Sequence, residues 1–252
     1  MSNHQRGIQT VELAGDILKL VCRSKRSLSL SEIAEQLELA PGSAYKYLIS
    51  LLRTGLLKRN ETTLEYEAGP LSLRMGLSKM NHHSMLIQAR AELTRLAEQY
   101  HVNAFASMWS SSNGPTVVFY KEYGGFFNIG FRLGMRLSMV NTTTGRLFAA
   151  YMDESRLTEN DAILEADEIL KLKHPEFIAE INQIKAQGYS TLTDIPTPGF
   201  RSYAVPVFDS NQQFVMTLTV FGPSDQFSTD QVNTIVHELN QLAKQMEGHI
   251  HG

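Results

Sequence analysis

Ser43 and Lys46 have the residue types and the spacing of a catalytic pair. They fit Ser-x-x-Lys, in which penicillin-recognising enzymes place a serine nucleophile one helical turn from a lysine. Those enzymes also carry a Ser-x-Asn element and a Lys-Thr-Gly or Lys-Ser-Gly strand. Ser111–Asn113 matches the first element, but the second is nowhere in the sequence. The penicillin-recognising interpretation is therefore not favoured, and the alternative is that Ser43 and Lys46 are two exposed polar groups one helical turn apart.

No other set of residues predicts catalysis, nucleotide binding or metal binding. The sequence contains no Gly-x-Ser-x-Gly elbow, no His-Glu-x-x-His, no Walker loop and no Gly-x-Gly-x-x-Gly after a strand. The one cysteine, Cys22, excludes an intramolecular disulfide and a multi-thiolate metal site, and we expect it to be buried. We expect no catalytic residue, no metal and no cofactor.

The elements around the serine and lysine follow the order of a helix-turn-helix. Thr10 is predicted to cap a helix over Val11–Cys22, whose apolar face begins at Val11. Ser29–Glu32 is a capping box that opens a short second helix. Pro41 suits the first position of a third helix, which we predict to run over Pro41–Thr54 and to stop at Gly55.

This third helix has the surface that a DNA-recognition helix needs. Its inner stripe is apolar, and its first turn carries small residues that allow close approach to the major groove. Longer side chains further along can reach bases and phosphates. The residues predicted to face outward are Gly42, Ser43, Lys46, Tyr47, Ser50 and Arg53.

A β-hairpin is predicted directly after that helix, with strands at Leu56–Arg59 and Leu64–Glu67. A hairpin in this place is a wing, in which Lys58 and Arg59 would contact phosphate or the minor groove. Residues up to His82 carry 11 Lys and Arg against 8 Asp and Glu, and the remainder carries 12 against 18. A mildly basic N-terminal region followed by an acidic remainder is typical of a DNA-binding domain joined to another domain.

The rest of the chain mixes helices with strands that arrive as hairpins, which predicts an antiparallel α+β sheet. The strands are predicted at 103–109, 116–121, 127–131, 203–208 and 214–221, and the helices at 71–80, 85–100, 143–152, 155–163, 175–187 and 229–247. Asn141–Gly145 opens one of these helices. Its unpaired amides and the helix dipole could hold a carboxylate, although a simple capping threonine remains an alternative.

The N-terminal part of the chain resembles the DNA-binding domain of IclR-type bacterial transcriptional regulators. The similar runs are TVELAGDILKLV, LSLSEIAEQLELAPGSAYKYLISLLRTGLLKR and YEAGPLSLRMG, which lie between Thr10 and Gly76. The resemblance continues downstream through 134–137, 141–146, 188–189, 198–209 and 217–223. It implies a winged helix-turn-helix at 1–70, a linker helix at 71–84 and a GAF-like antiparallel-sheet effector-binding domain at 85–252.

The resemblance also implies a function. We therefore expect a sequence-specific transcriptional regulator, which binds double-stranded operator DNA and is controlled by a small-molecule effector. Paired DNA-binding heads would read a pseudo-palindrome, and the resemblance suggests a homodimer or homotetramer. The residues expected at the DNA are Thr10, Gly42, Ser43, Lys46, Tyr47, Arg53, Lys58 and Arg59.

By the same resemblance, Thr143 and Thr144 match effector-loop positions of the family. An arginine could supply the charge opposite an acidic effector, and the candidates are Arg132, Arg136 and Arg201.

Four further positions describe the pocket. Ser202 stands where the family often has cysteine, and Thr219 and Phe221 stand where small hydroxyl residues commonly line the pocket. Leu192 falls where an acidic residue is common. Leu192 and Phe221 make this pocket more apolar than is common in the family. We therefore expect a larger organic, aromatic or sugar-derived acid rather than the smallest oxo-acids.

One alternative function belongs to another class. It is a GAF-like sensor or enzyme whose N-terminal winged helix contacts protein instead of DNA. The start, MSNHQRGIQT, lacks the apolar core of a signal peptide, and no apolar run approaches the roughly 20 residues that span a bilayer. We expect a cytoplasmic protein with no membrane partner.

Overall fold

The computed structural model describes residues 7–24, 26–81, 84–110, 113–124, 131–152, 164, 166–227 and 229–247. The chain divides into two compact units, Met1–His82 and His83–Gly252. The helix predicted as a linker belongs to the first of them. Within the described ranges, no helix combines the length and apolarity that crossing a membrane requires.

The first unit is a winged helix-turn-helix followed by one more helix. Its elements are α1 (Gln9–Arg23), α2 (Leu30–Gln36), α3 (Pro41–Thr54), the antiparallel strands β1 (Leu57–Arg59) and β2 (Tyr66–Ala68), and α4 (Pro70–Asn81). Their apolar faces meet in one core, which is formed by Ile17, Val21, Leu28, Ile33, Leu48, Leu51, Leu57 and Tyr66.

Local chemistry accounts for the limits of α2 and α3. The capping box is present: Glu32 N donates to Ser29 Oγ over 3.3 Å, and Ser29 N donates to a Glu32 carboxylate oxygen over 2.8 Å. Pro41 occupies the first position of α3. Gly55 ends it at φ 76°, a left-handed conformation that costs glycine little. The predicted limits of the recognition helix are confirmed.

The start of α1 corrects two expectations. The helix begins before Thr10, with Ile8 at the N-cap and no side-chain cap, so Thr10 lies exposed in the first turn. Val11 is 65% exposed, because the buried stripe of α1 runs through Ile17 and Val21 instead. Cys22 is also exposed, contrary to its expected burial, because it is the residue after Val21 and points away from the buried stripe.

The second unit is built on a five-stranded antiparallel sheet with the order β4-β3-β7-β6-β5. Its elements are α5 (Ser84–Tyr100), β3 (Asn103–Ser110), β4 (Gly114–Lys121), α6 (Thr143–Tyr151), α7 (Ala166–Leu172), α8 (Pro175–Gln187), β5 (Ser190–Thr193), β6 (Phe200–Phe208), β7 (Phe214–Pro223) and α9 (Thr229–Glu247). The predicted antiparallel α+β class is confirmed.

Helices lie on both faces of this sheet. α6 packs over β5, β6 and β7 and carries α8 on its outer side, whereas α5 and α9 pack against each other and against the sheet. We call the side under α6 the α6 face. Because paired residues of antiparallel strands point to the same side, the register Phe105–Thr219–Ala204 places one row of side chains across the α6 face.

Most predicted elements of this unit are present, with differences at their ends. The helices at 175–187 and 229–247 are confirmed, and both long C-terminal strands extend beyond their predicted limits. The short elements β5 and α7 were not predicted. The predicted helix at 155–163 lies outside the described residues. So does the predicted strand at 127–131, except for Phe131, which is in no strand.

Candidate functional site

The outer face of α3 presents small and basic groups to solvent. Gly42, Ser43, Lys46 and Arg53 are all exposed, as predicted. Among the described residues, no ion pair or hydrogen bond engages the side chain of Lys46 or Arg53. A Cβ added at Gly42 would meet no atom within 4 Å, so packing inside this unit does not require glycine there.

The first turn of α3 leaves a backbone donor open. Its N-cap is Ala40, which has no side-chain hydrogen bond to offer, and Pro41 has no N–H. The amides of Ser43 and Ala44 reach back to the Ala40 carbonyl over 2.9 and 3.0 Å. The Gly42 amide has no partner in the described part of the chain. A helix start with a free amide is a natural site for a phosphate.

The two tyrosines of α3 differ from the prediction. Tyr47 is partly buried and packs against the core of the first unit, whereas Tyr45 is 46% exposed. The reason is helical spacing: Tyr47 lies three residues after buried Ala44 and four before buried Leu51. The predicted outward orientation of Tyr47 is therefore wrong, and Tyr45 is the more accessible ring.

The two wing cations are exposed but engaged within the wing. Lys58 Nζ lies 3.0 Å from a carboxylate oxygen of Glu67, its cross-strand neighbour. Arg59 Nε donates to the Leu64 carbonyl over 3.1 Å, and its guanidinium lies 5.6 Å from the centre of the Tyr66 ring. Their charges are partly offset before any partner arrives.

A cavity opens on the α6 face of the second unit. It holds about 490 Å³ of space unfilled by protein atoms, part of it open to solvent. Its walls come from β3, β6, β7, the start of α6 and the loops on either side. The lining residues are Phe105, Phe131, Leu137, Thr142, Thr143, Ile195, Pro196, Thr197, Phe200, Arg201, Ser202, Thr219 and Phe221.

The start of α6 forms the polar end of this cavity. The Thr142 hydroxyl accepts from Gly145 N over 2.9 Å and donates to the Ser138 carbonyl over 2.7 Å, so it serves as the cap. Thr143 is 2% exposed and lines the cavity, and its hydroxyl has no partner among the described residues. The Thr143 and Thr144 amides have no partner inside the helix.

A buried carboxylate holds the segment that leads into α6. Glu168, on α7, is 3% exposed. It accepts hydrogen bonds from the Arg136 guanidinium, from Ser138 Oγ over 2.6 Å and from Met139 N over 2.8 Å. Arg136 is therefore engaged in an ion pair with Glu168. Arg132 is exposed and outside the lining.

Arg201 borders the cavity, but its head group points elsewhere. Its Nε donates over 3.0 Å to the hydroxyl of Thr193, which is its direct cross-strand partner on β5. Consecutive strand residues point to opposite faces. Arg201 and Ser202 therefore project to different sides of the sheet, and Ser202 is the one on the α6 face.

The structure brings four of the six predicted effector residues together: Thr143, Ser202, Thr219 and Phe221 line one cavity. The other two predicted residues lie outside this lining. Thr144 is fully buried and does not line the cavity; its hydroxyl lies 2.9 Å from the Thr219 hydroxyl and supports it from behind. Leu192 pairs with Ser202 in register but lies outside the lining, because β5 is the edge strand beyond the cavity.

Several lining residues were not predicted. Phe105 could have been found, because strand alternation and the register with Thr219 place it on the same face. The cap residue Thr142 lies next to a predicted position. The segment Ile195–Thr197 carries no periodicity that would place it over a sheet, so only the folded chain shows its role.

Comparison with known families matches both units. The model described as the IclR helix-turn-helix domain matches residues 10–61. The model described as the C-terminal region of the bacterial transcriptional regulator IclR matches residues 79–247. Together the two models account for most of the chain.

Individual relatives are similar over nearly the full length. The HTH-type transcriptional regulator BhcR of Paracoccus denitrificans is 25% identical over 95% of this chain and 86% of its own. The Pca regulon regulatory protein of Pseudomonas putida is 27% identical over 78% of this chain and 68% of its own. A crystal structure of an IclR-type transcriptional regulator from Alicyclobacillus acidocaldarius, 23% identical, has the same fold, with a TM-score of 0.77 over 96% of this chain and 98% of its own.

Proposed function

The chain belongs to the IclR family of bacterial transcriptional regulators, and we propose that it binds operator DNA through α3 and the wing under the control of a small organic acid held in the α6-face cavity. The observation that carries the DNA half is the exposed start of α3. A free amide, a serine hydroxyl and an unpaired lysine lie there within two helical turns.

The residues divide by role. Gly42 and Ser43 would approach the major groove, and Lys46 and Arg53 would contact phosphate. Lys58 and Arg59 would lie along the backbone or minor groove beside the wing. Exposed Thr10 on α1 would contact phosphate, and Tyr47, which is partly buried, would contribute only the outer edge of its ring.

One such surface offers few base contacts, so we propose a homodimer or homotetramer that places two DNA-binding domains on a pseudo-palindrome.

The effector would bind by its carboxylate at the start of α6. Free amides, the positive end of the helix dipole and the Thr143 hydroxyl supply donors there. To regulate, the effector must bind the DNA-competent and DNA-incompetent states with different affinity. The proposal includes no catalytic step and no cofactor.

Operator binding tests this function directly. Fluorescence anisotropy would compare duplex DNA from upstream of the chain's own gene with a random duplex of equal length at the same salt concentration. We expect a preference for the upstream DNA of at least about a thousandfold. Equal affinity for both duplexes would rule out specific operator recognition, whatever the cavity binds.

A further inference from the structure

We propose that the α6-face cavity takes an aromatic monocarboxylate and rejects polyhydroxylated sugar acids. This inference rests on the proposed function, because it assumes that the cavity is the effector site. It narrows the effector from any small organic acid to one with a single carboxylate on a flat apolar ring.

The cavity has one aromatic wall. Phe105, Phe131 and Phe221 all line it, with ring centres 4.9 Å apart for Phe105 and Phe131 and 5.0 Å apart for Phe131 and Phe221. The latter pair is stacked. Tyr120 extends the cluster, with its ring stacked 6.4 Å from that of Phe221. Burial and nearby Glu122 raise the pKa of Tyr120 to about 12, so its ring stays neutral at physiological pH.

Such a wall favours another ring and disfavours hydroxyl groups. A flat ring can join the cluster in offset or edge-to-face contact, which adds to the gain from burying its surface. A sugar hydroxyl against the same wall gives up its water and finds no acceptor. Each unmatched hydroxyl therefore lowers affinity by about tenfold.

The polar end of the cavity suits one carboxylate. Its donors are the free amides of α6 and the hydroxyls of Thr143, Ser202 and Thr219. Thr219 and Thr144 share one hydrogen bond of 2.9 Å between two hydroxyls, and when Thr144 is the donor the Thr219 proton is free to bond a ligand oxygen. Thr143 is an almost fully buried polar side chain without a partner in the described ranges, and it lines this end.

The same end offers no side-chain cation in the part of the chain that the structure describes. Of the described residues that line the cavity, Arg201 alone is charged, and its guanidinium is bonded to Thr193 on the other side of the sheet. A single carboxylate can be held by amides, hydroxyls and a helix dipole. A second charge against the aromatic wall would lose its hydration without compensation.

A thermal-shift and calorimetry series with the full chain tests the ligand class. The probes are benzoate, 2-naphthoate, cyclohexanecarboxylate, gluconate and benzamide, each at millimolar concentration. We expect the two aromatic acids to raise the melting temperature. Cyclohexanecarboxylate should bind about threefold or more weakly than benzoate, because it lacks ring–ring contact. Benzamide and gluconate should bind about tenfold or more weakly than benzoate.

Matched variants locate the binding. Phe221→Leu keeps the apolar volume and removes the ring, so the affinity for 2-naphthoate should fall about tenfold. Phe214→Leu is the control, because Phe214 lies on the same strand and packs on Phe148 at 4.9 Å, outside the cavity. Thr143→Val replaces the hydroxyl by a methyl group and should weaken benzoate about tenfold, whereas Thr191→Val, at an exposed position of β5, should not.

The outcomes separate this inference from the proposed function. Gluconate binding as tightly as benzoate, no melting shift with either aromatic acid, or equal 2-naphthoate binding by the two leucine variants would each overturn the aromatic assignment. Titration of the operator complex with benzoate tests regulation separately. If benzoate binds the cavity but leaves operator affinity unchanged, the ligand class stands and effector control fails.

Discussion

At the residue scale, Gly42 separates the needs of the fold from those of DNA recognition. Among the described residues of the first unit, no atom lies within 4 Å of where its Cβ would be, so their packing does not require glycine at that position. In the proposed complex, approach to the major groove would require a small residue there. A substitution at this position therefore tests the DNA surface without disturbing the core.

We expect Gly42→Ala to leave stability unchanged or raise it by up to about 1 kcal/mol, because alanine favours the helix. Operator affinity should fall about tenfold, because the methyl group holds α3 away from the groove. Gly15→Ala in α1, which also meets open space, is the matched control. Circular dichroism and anisotropy measure the two effects, and unchanged operator affinity would remove Gly42 from the interface.

The proposed role of Lys46 can be tested by the salt dependence of DNA affinity. If its free ammonium contacts a phosphate, Lys46→Ala should lower the slope of log affinity against log salt concentration by about 1 for each head. The loss should be similar on operator and random DNA, because a phosphate contact carries no sequence information. Lys185→Ala, at an exposed position of α8, serves as control. An unchanged slope would place Lys46 away from phosphate.

At the scale of elements, the capping box of α2 depends on pH. The Arg26 guanidinium, followed by the backbone and hydroxyl of Ser29, lowers the pKa of Glu32 from 4.5 to about 2. A lowered folded-state pKa means that the carboxylate stabilises the fold fully above pH 4.5 and loses that effect as the pH falls towards 2.

Glu32→Gln should therefore lower the melting temperature most near neutral pH, and its difference from the wild type should shrink as the pH falls below 4.5. Glu35→Gln makes the same charge change at an exposed position of α2 and is the control. Thermal melts followed by circular dichroism across this range provide the measurement. A difference that stays constant with pH would show that the Glu32 charge does not act through the box.

The start of α6 depends on a second glycine. A Cβ at Gly145 would overlap the Ser138 carbonyl oxygen and the Met139 Cα, and backbone cannot swing aside as a side chain can. Gly145→Ala should cost about 1–3 kcal/mol of stability and abolish the effector-induced melting shift. Gly76→Ala, in α4 with open space around it, should cost nothing. A stable Gly145→Ala protein that still responds to its effector would show that this contact is dispensable.

These elements also show how far sequence reasoning reaches. α3 could be predicted to the residue because Pro41 and Gly55 are strong local signals at its two ends. α1 could not, because Ile8 occupies its N-cap without a side-chain cap, and Val11, predicted on the apolar face, is exposed. β5 was missed because four residues at a sheet edge carry too short an alternation to stand out.

At the scale of the whole molecule, strand register brings together three of the expected cavity residues, Ser202, Thr219 and Phe221, and the packing of α6 on the sheet adds Thr143. The aromatic character of the wall was only half predictable. Phe221 was visible in the sequence, but Phe131 comes from a loop and Phe200 from the first residue of a strand. Loop placement depends on long-range packing, which a local pattern does not encode.

Assembly is the corresponding prediction at this scale. If two heads read a pseudo-palindrome, a duplex that carries one half-site should bind at least about a hundredfold more weakly than the complete operator. Sedimentation of the complexes should show two chains for each complete site if the protein is a dimer, and four if it is a tetramer. A half-site that binds one chain with the affinity of the full operator would contradict paired recognition.

The Lys58–Glu67 pair in the wing has a consequence for how the protein searches a genome. On random DNA, affinity follows the number of phosphates that free cations neutralise. A lysine whose charge is partly offset by a carboxylate at 3.0 Å contributes less to that number than a lysine without such a neighbour. The residence time on non-operator DNA should therefore be shorter, so that each protein molecule samples more sequences before it reaches its operator.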